Sequence, residues 1–538
     1  MNIVILLGVV ITLVTGFPVL MQLLKNHPRG LIILFFAEMW ERFSYYGMRG
    51  ILIFYLTQHL LFDDGVASAQ YGSYTSLVYL LPLIGGILAD RYLGTRKAIA
   101  FGALLLVAGH MTMAYEGAPA QQSLTYAGQT YEIQAKGRAD DRTVHVMVDG
   151  KPYGFGPAEG GGMKIEGLPA TAKLPSVLPA GEYSMTKVVD QRGVNAFYLA
   201  VSLIIMGVGF LKPNISSIVG QLYPQGDPRR DAGFTLYYYG INLGAFWASV
   251  LCAYLGQRVG WWAGFGLAGV GMALGFVVFV LGKNLLQGKG EPPDPARLAR
   301  PVVGPVNLEW LIYIIAVLGV GAVWLLVQRN ALVGVGLLVS TAAALAYIGW
   351  FVVAKCNKIE RERMLLALIL IFGSVIFFTL FEQAGTSLNL FAARNVDLEV
   401  TRQATLFLGV PVGTAAQIAE AGLKPLGGFL WIDTQIAAAQ TQSFNAGFIL
   451  IFAPLLAALW TALAARKRDP DPTMKFGFGL IQVGLGFLVV VWGAGLANVD
   501  HRLPLILLGL LYMLHTTGEL FLSPVGLSEV TKLSVEIG

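Results

Sequence analysis

Long apolar segments alternate with short polar ones along most of the chain. A stretch of about 20 mostly apolar residues can cross a membrane as one helix. The sequence therefore predicts thirteen spans, near residues 3–24, 31–60, 70–90, 98–115, 194–221, 231–256, 261–282, 307–328, 331–354, 364–393, 441–465, 474–497 and 503–531. This pattern is typical of an all-α polytopic membrane protein.

Two long polar segments interrupt the pattern, at residues 116–193 and 394–440. Within the first, the stretch TVHVMVDGKPYGF alternates apolar and polar positions on both sides of Asp149-Gly150. Alternation around an Asp-Gly pair is a strong signal for a β-hairpin. We therefore expect residues 116–193 to form a small β-rich insert outside the membrane.

Composition supports the membrane assignment. Of the 538 residues, 55% are hydrophobic and 13% are charged, whereas soluble domains carry about 25% charged residues. The two cysteines, Cys252 and Cys356, match neither a metal site nor a disulfide framework. We expect no metal, no cofactor and no nucleic-acid partner.

Basic residues concentrate in alternate loops. Seven loops, which we call the basic loops, together contain 20 Lys and Arg. They lie at 25–30, 91–97, 222–230, 283–306, 355–363, 466–475 and from 532 onward. The short loops between them contain only Arg258, Arg329 and Arg502. By the positive-inside rule the basic loops are cytoplasmic, so Met1 and the insert are expected outside.

The first apolar segment has no basic n-region and no small-residue cleavage site. A cleaved signal peptide has both a basic n-region and such a cleavage site. We therefore expect residues 1–28 to form an extra membrane anchor helix.

Seven ionisable residues remain deep in predicted spans: Glu38, Glu41, Arg42, Arg49, Lys212, Glu382 and Glu519. Each costs about 3 kcal/mol at a helix centre, so such residues usually pair and face a polar cavity. Four acids against three bases leave room for one proton. Ion pairs that merely hold helices together are the structural alternative, but neutral hydrogen bonds would do that at lower cost.

Spacing and depth indicate which of these residues can meet. Positions 38, 42, 45 and 49 share one face of a helix. Equal residue counts from the predicted membrane edge put Arg49 level with Glu382, and Glu41 level with Lys212. The sequence therefore predicts two charge pairs that cross one shared cavity.

Several segments resemble the proton-dependent oligopeptide transporters, a branch of the major facilitator superfamily. EMWERF, at 38–43, looks like the family motif E-x-x-E-R-F/Y, and YYYGINLGAF, at 237–246, is similar to its F-Y-x-x-I-N-x-G stretch. GILADRYLGTRK resembles the cytoplasmic loop motif of the superfamily through Asp90, Arg91 and Arg96. LFEQAGTS, QSFNAGFILIFAPLLAALW and GELFLSPVGLSEVTKLS look like its seventh, eighth and tenth helices.

The resemblance implies the major facilitator fold, with two helical bundles around a central cavity and two linker helices between them. Residues 29–282 would form the first bundle, 283–360 a cytoplasmic loop with the linker helices, and 361–538 the second bundle. The family pattern has two further helices, so we expect the second bundle to be incomplete. A monomer in the inner membrane of a bacterium is expected.

The resemblance also implies a function, the import of di- and tripeptides with protons by alternating access. Glu38, Glu41, Arg42 and Lys212 would handle the proton, and Arg49 with Glu382 would form an outer gate. The implied substrate-binding residues are Arg49, Tyr45, Tyr46, Tyr79, Lys212, Asn242, Glu382, Asn445, Glu519 and Ser523. Among these, Glu519 would hold the peptide amino terminus.

Two positions in the second bundle carry further expectations. Phe378 stands where family members often have tryptophan, which would reshape a side-chain pocket. His515 lies one turn from Glu519 and is expected to be neutral and hydrogen-bonded, because another charge there would be costly.

Other functions remain open at this point. The same fold could carry nitrate or another small anion, export its substrate, or act as a membrane sensor with the insert as ligand reader. Cations and anions in one cavity favour a zwitterion over a simple anion. An enzyme is not expected, because the deep residues contain no nucleophile–base pair and no metal cluster.

Overall fold

The computed structural model describes residues 1–169 and 171–533, with side chains described up to residue 523 in the last helix. The end of the expected second bundle at residue 538 lies outside the described residues. The α-helices of the described part are α1 (Ile3–Asn26), α2 (Arg29–Phe54), α3 (Asp64–Leu88), α4 (Thr95–Met113), α5 (Gln191–Gln221), α6 (Arg230–Arg258), α7 (Trp261–Leu281), α8 (Pro295–Ala299), α9 (Leu308–Val327), α10 (Asn330–Ala354), α11 (Lys358–Phe381), α12 (Ser387–Asn395), α13 (Ala415–Glu420), α14 (Ser443–Ala465), α15 (Pro472–Gly493) and α16 (Leu505–Leu533).

The helices confirm the expected all-α membrane architecture. Thirteen long helices in the described part follow the thirteen predicted spans, and eleven of them are long and apolar enough to cross a membrane. The remaining two, α2 and α4, fall outside that set because they carry charged side chains. Most residues of α2 are nevertheless buried, so this charged helix lies inside the protein and away from lipid.

One predicted span is wrong as a single helix. Instead of running over 364–393, α11 ends at Phe381, a 3₁₀ turn covers Glu382–Gly385, and α12 starts after Thr386. Thr386 has the non-helical angles φ −125° and ψ −95°. A Cβ on Gly385 would overlap the Tyr71 hydroxyl, so this turn packs against α3 only with glycine at that position. The break places Glu382 at a helix end that faces α2 and α3.

The long helices form two packed groups, which we call the N-half (α2 to α7) and the C-half (α11 to α16). In the N-half, α2 packs against α6 and α7, and α4 packs against α5. In the C-half, α16 packs against α11, α14 and α15. Of the two helices between them, α9 lies on α5, whereas α10 is mostly exposed and contacts α3, α9 and α11. The extra helix α1 lies along α6, where Trp247 donates to the Thr12 hydroxyl at 3.0 Å, and it also contacts α14.

The strands of the described part are β1 (Gln121–Tyr126), β2 (Gln129–Lys136), β3 (Thr143–Val148), β4 (Lys151–Tyr153), β5 (Phe155–Pro157), β6 (Met163–Ile165), β7 (Val177–Leu178), β8 (Tyr183–Val188), β9 (Pro301–Val303), β10 (Val306–Asn307), β11 (Val396–Asp397), β12 (Thr405–Phe407), β13 (Val410–Val412) and β14 (Leu503–Pro504). The first eight belong to the predicted β-rich insert. They form an antiparallel sheet in the order β4-β3-β2-β1-β8 and a second sheet in the order β5-β6-β7.

The insert has a hydrophobic core of its own. Leu124, Val146 and Leu178 are fully or almost fully buried in it, and side chains from both sheets contribute. The predicted hairpin is confirmed, because β3 and β4 pair on either side of Asp149 and Gly150. Both turn residues have positive φ, 49° and 76°, as the tight hairpin turn requires.

The connections divide between two ends of the helix bundle. The insert, the segment between α12 and α14, and the start of α1 meet at one end, which we call the insert end. The basic loops predicted to be cytoplasmic meet at the other, the basic-loop end. There Arg96 contacts Glu291 with two hydrogen bonds of 3.0 and 2.9 Å, which tie the loop before α9 to the start of α4.

Close backbone approach between α4 and α5 yields a stability prediction. A Cβ on Gly102 would lie 2.6 Å from the Gly207 carbonyl oxygen, so Gly102→Ala forces the helices apart. We expect a loss of about 1–3 kcal/mol in the free energy of unfolding, measured by thermal unfolding in detergent. Gly321→Ala is the matched control, because nothing lies within 4 Å of its Cβ position. Equal effects of the two substitutions would contradict the packing argument.

Candidate functional site

The charged motif of α2 forms a compact buried cluster. Arg42 Nε lies 2.9 Å from Glu38 Oε1 and 2.6 Å from Glu41 Oε2. All three side chains are at least nine-tenths buried. The other oxygen of each carboxylate has no hydrogen-bond partner in the described part of the protein. One guanidinium therefore faces two carboxylates, which leaves the cluster one positive charge short of neutrality.

Lys212 does not contact the carboxylates of this cluster. The predicted ion pair of Glu41 with Lys212 is not formed in this structure, because among the described residues Lys212 has no carboxylate within 4.0 Å. Its ammonium instead lies 3.9 Å from the centre of the Tyr79 ring, in a cation–π contact. Arg42, on the same helix as Glu41, takes the position that Lys212 was expected to fill.

Arg49 and Glu382 lie together, as their predicted depths suggested. The Arg49 guanidinium contacts the Glu382 carboxylate and also the Tyr71 hydroxyl. Arg49 is buried, whereas the Glu382 side chain is about one-third exposed. The pair joins the N-half to the C-half, because Arg49 belongs to α2 and Glu382 to the turn after α11.

A cavity of about 970 Å³, including its solvent-open part, lies between the two halves. Arg49 contributes from the N-half, and Glu382 and Glu519 contribute from the C-half. Tyrosine and phenylalanine side chains cover much of the remaining wall. The cavity therefore offers a cation, two carboxylates and amphipathic aromatic surface to one ligand.

On the C-half wall, Asn445 holds Glu519 in place. Its amide nitrogen lies 3.2 Å from Glu519 Oε2 and 3.0 Å from the Thr516 hydroxyl. His515, one turn before Glu519, lies with Nε2 3.2 Å from the Val483 carbonyl oxygen. The histidine is therefore hydrogen-bonded to the backbone, as expected from the sequence.

Seven of the ten predicted substrate-binding residues line this cavity: Tyr46, Arg49, Tyr79, Asn242, Glu382, Asn445 and Glu519. Tyr45, Lys212 and Ser523 do not belong to its lining. Tyr45 is buried inside the N-half, and the Lys212 ammonium lies over the Tyr79 ring. Phe378, which occupies the position where the resembling family often has tryptophan, lines the cavity.

Several cavity or contact residues were missed from the sequence, namely Tyr71, Tyr238, Gln442 and Thr516. Tyr71 had only a weak signal, since eight residues separate it from Tyr79 and turn its side chain by roughly 80° around α3. Gln442 had none, because it precedes α14 in a segment whose course the sequence does not indicate. Asp90 and Arg91 of the loop motif are exposed at the basic-loop end, remote from the cavity lining.

The chain matches one known protein family along most of its length. The model of the POT family matches residues 96–406 and 430–537. The chain is 33% identical to the uncharacterised transporter YclF of Bacillus subtilis, over 95% of this chain and 82% of that protein. It is 28% identical to dipeptide and tripeptide permease A of Erwinia pyrifoliae, over 94% of this chain and 80% of the permease.

Solved structures of POT family transporters are also similar to the chain. A crystal structure of a peptide transporter POT in complex with alafosfalin is 32% identical, covers 95% of this chain and 83% of its own, and superposes with a TM-score of 0.65. The relatives are transporters and not enzymes, which agrees with the function class expected from the sequence.

The charge balance of the α2 cluster yields a second prediction. Arg42→Met removes the cation that two buried carboxylates share, and breaking a buried pair costs about 3 kcal/mol. We expect a clear fall in the thermal unfolding temperature. Arg402→Met is the matched control, because Arg402 pairs with Asp397 at an exposed position and should contribute little. If both substitutions lower the unfolding temperature equally, the two buried carboxylates do not depend on Arg42 as predicted.

Proposed function

The chain belongs to the POT family, and we propose that it imports di- and tripeptides together with protons by alternating access. The observation that carries this proposal is the charge distribution of the cavity, with Arg49 on the N-half and Glu519 on the C-half. A short peptide is a zwitterion whose amine and carboxylate lie at opposite ends. Glu519 suits the amine, Arg49 suits the carboxylate, and the tyrosines accommodate varied side chains.

The cluster of Glu38, Glu41 and Arg42 supports the proton-coupled part of the proposal. Two buried carboxylates that share one guanidinium reach neutrality by binding one proton. An unpaired charge in a membrane interior is costly, so a proton there is bound and released as the surroundings change. Lys212 is the second cation near this cluster, and a shift of its side chain from Tyr79 toward Glu41 would release the proton.

The contacts between the halves support alternating access. Besides the Arg49–Glu382 pair, Asn389 and Gln442 of the C-half donate to the Gly50 carbonyl of α2, at 2.8 and 3.1 Å. These contacts close the insert end of the cavity. We infer that the molecule is in a state closed at the insert end, and that these contacts separate when the substrate enters from that side.

The membrane orientation follows from the loop charges. We propose that the basic-loop end faces the cytoplasm of a bacterium, that the insert end and the start of α1 lie outside the inner membrane, and that the transporter is a monomer. One inward proton contributes roughly 2.3 kcal/mol per 100 mV and about 1.4 kcal/mol per pH unit. Together these terms support roughly 500-fold accumulation of peptide.

We predict that labelled dialanine enters proteoliposomes when the outside is acidic and the inside negative. Glu41→Gln mimics the protonated side chain permanently, so gradient-driven uptake should disappear while peptide counterflow persists. Glu309→Gln is the matched control, because Glu309 pairs with Lys97 at the basic-loop end and lies outside the cavity lining. It should transport as wild type does.

Two results would change the assignment. If well-folded wild type takes up no peptide, the substrate is another solute, and nitrate uptake or peptide efflux under the same gradient is the next measurement. If Glu41→Gln still shows driven uptake, the proton binds at another carboxylate, and the cavity acids Glu382 and Glu519 are the next to be substituted.

The role of Glu519 yields a separate prediction. Glu519→Gln weakens the contact with the peptide amine, so the KM for dialanine should rise roughly 10- to 100-fold, the range for a hydrogen bond to a charged group. N-acetyl-dialanine has no amine, so its weaker inhibition of uptake should not change. If Glu519→Gln weakens the binding of dialanine and of N-acetyl-dialanine equally, Glu519 shapes the cavity without binding the amine.

A further inference from the structure

The insert reaches the boundary between the two halves through one short turn, residues 137–141. Asp140 in this turn is buried, with its side chain 2% exposed. Its Oδ1 accepts a hydrogen bond from Gln257 Nε2 at 2.6 Å, and Gln257 belongs to α6 of the N-half. The same oxygen accepts from the backbone N–H of Ala438 at 3.1 Å, at the start of the C-half helix that continues into α14. A single carboxylate therefore binds both halves.

Gln257 extends this bridge. While its amide nitrogen donates to Asp140, its Oε1 accepts from the Ala439 N–H at 2.7 Å. The first N–H groups of a helix have no partner within the helix, and Ala437, which precedes this one, has no side-chain acceptor to cap them. The start of the helix that carries Gln442 and Asn445 into the cavity is thus capped by the insert and by α6.

The turn is shaped and anchored to present Asp140. Gly137 and Ala139 have positive φ, 75° and 51°, and the second value is uncommon for alanine. The Ala139 N–H donates to Gln58 Oε1 at 2.8 Å. The Arg138 guanidinium lies 5.8 Å from the centre of the Trp261 ring. Both anchors belong to the N-half, and the turn also packs against α12 of the C-half.

We propose that Asp140 is a positioning residue of the transport cycle, which favours the state closed at the insert end. The proposal rests on the proposed alternating access, because closure matters only if the halves separate. On separation Asp140 remains with Gln257 and the N-half and loses the Ala438 N–H. The carboxylate loses a buried hydrogen bond, and the helix start loses its cap. The insert therefore helps to hold the substrate entrance closed. We call the contacts of Asp140 with Gln257 and with the Ala438 N–H the clasp.

The test uses the full chain in lipid nanodiscs, with spin labels at Val66→Cys on α3 and Val499→Cys between α15 and α16. Both positions are exposed, and they lie at the insert end of different halves. The two native cysteines are buried and are replaced by serine. Distances between the labels are measured by double electron–electron resonance, which reports the closed and open populations without any substrate.

Asp140→Ala should raise the ratio of long to short distances about tenfold, the effect of losing roughly one hydrogen bond to a charged group. Asp140→Asn keeps the shape and one acceptor and should give a smaller shift, so the test does not depend on the folding of the alanine variant. Asp141→Ala is the matched control. Asp141 pairs with Arg258 of the N-half, which also lies 3.8 Å from Asp140, but no ion pair or side-chain hydrogen bond links Asp141 to the C-half in the described part of the protein. This variant should leave the distribution unchanged.

Arg49→Ala separates this proposal from the proposed function, because it opens the insert end without touching the insert. If Arg49→Ala lengthens the distances and neither Asp140 variant does, the clasp is overturned while alternating access stands. If Asp141→Ala shifts the distribution as much as Asp140→Ala, general loosening of the insert explains the result and the clasp is overturned. If no variant, Arg49→Ala included, ever shows the longer distance, both proposals fail.

Discussion

The burial of charged side chains on α2 is the constraint on which the rest of the molecule depends. A charge inside an apolar bundle is stable only when partners reach it, and α2 supplies some of these itself, through Glu38, Glu41 and Arg42. Arg49 lies near the Tyr45 and Tyr46 rings of its own helix, at 6.0 and 5.8 Å from the ring centres. Its hydrogen bonds go to other elements, to Tyr71 of α3 and to Glu382 of the C-half. Glu382 lies in the 3₁₀ turn that follows Phe381, and from there it contacts Arg49. The C-half thus places a carboxylate where the N-half buries a cation.

Much of the architecture could be predicted because a bilayer imposes a length on every helix. The spans follow from apolar length, the hairpin at Asp149 from its turn chemistry, and the meeting of Arg49 with Glu382 from equal depth. Depth gives the height of a side chain but not its direction around the helix axis. For this reason Lys212 was assigned to Glu41, whereas its ammonium lies against Tyr79. The break at Gly385 was missed because one glycine in an apolar run is ordinary in membrane helices.

The insert end of the cavity is closed by contacts of two different kinds. The ion pair of Arg49 and Glu382 is specific, but exposing its charges to water on opening regains part of the lost hydration. The amides of Asn389 and Gln442 meet the Gly50 carbonyl through neutral bonds, which water replaces at small net cost. Spreading closure over several modest contacts keeps the closed and open states near in free energy, as a cycle between two states requires.

The position of α1 has a consequence for the lipid around the protein. This helix lies along α6 and also contacts α14, so it covers a groove where the N-half and the C-half meet at their periphery. Such a groove would otherwise be filled by acyl chains, which could slip between the halves and occupy the polar cavity from the side. With α1 in place, the cavity is shielded on that flank by protein side chains that stay attached to α6 through Trp247 and Tyr239. On that flank, acyl chains of the surrounding bilayer are kept away from the polar cavity.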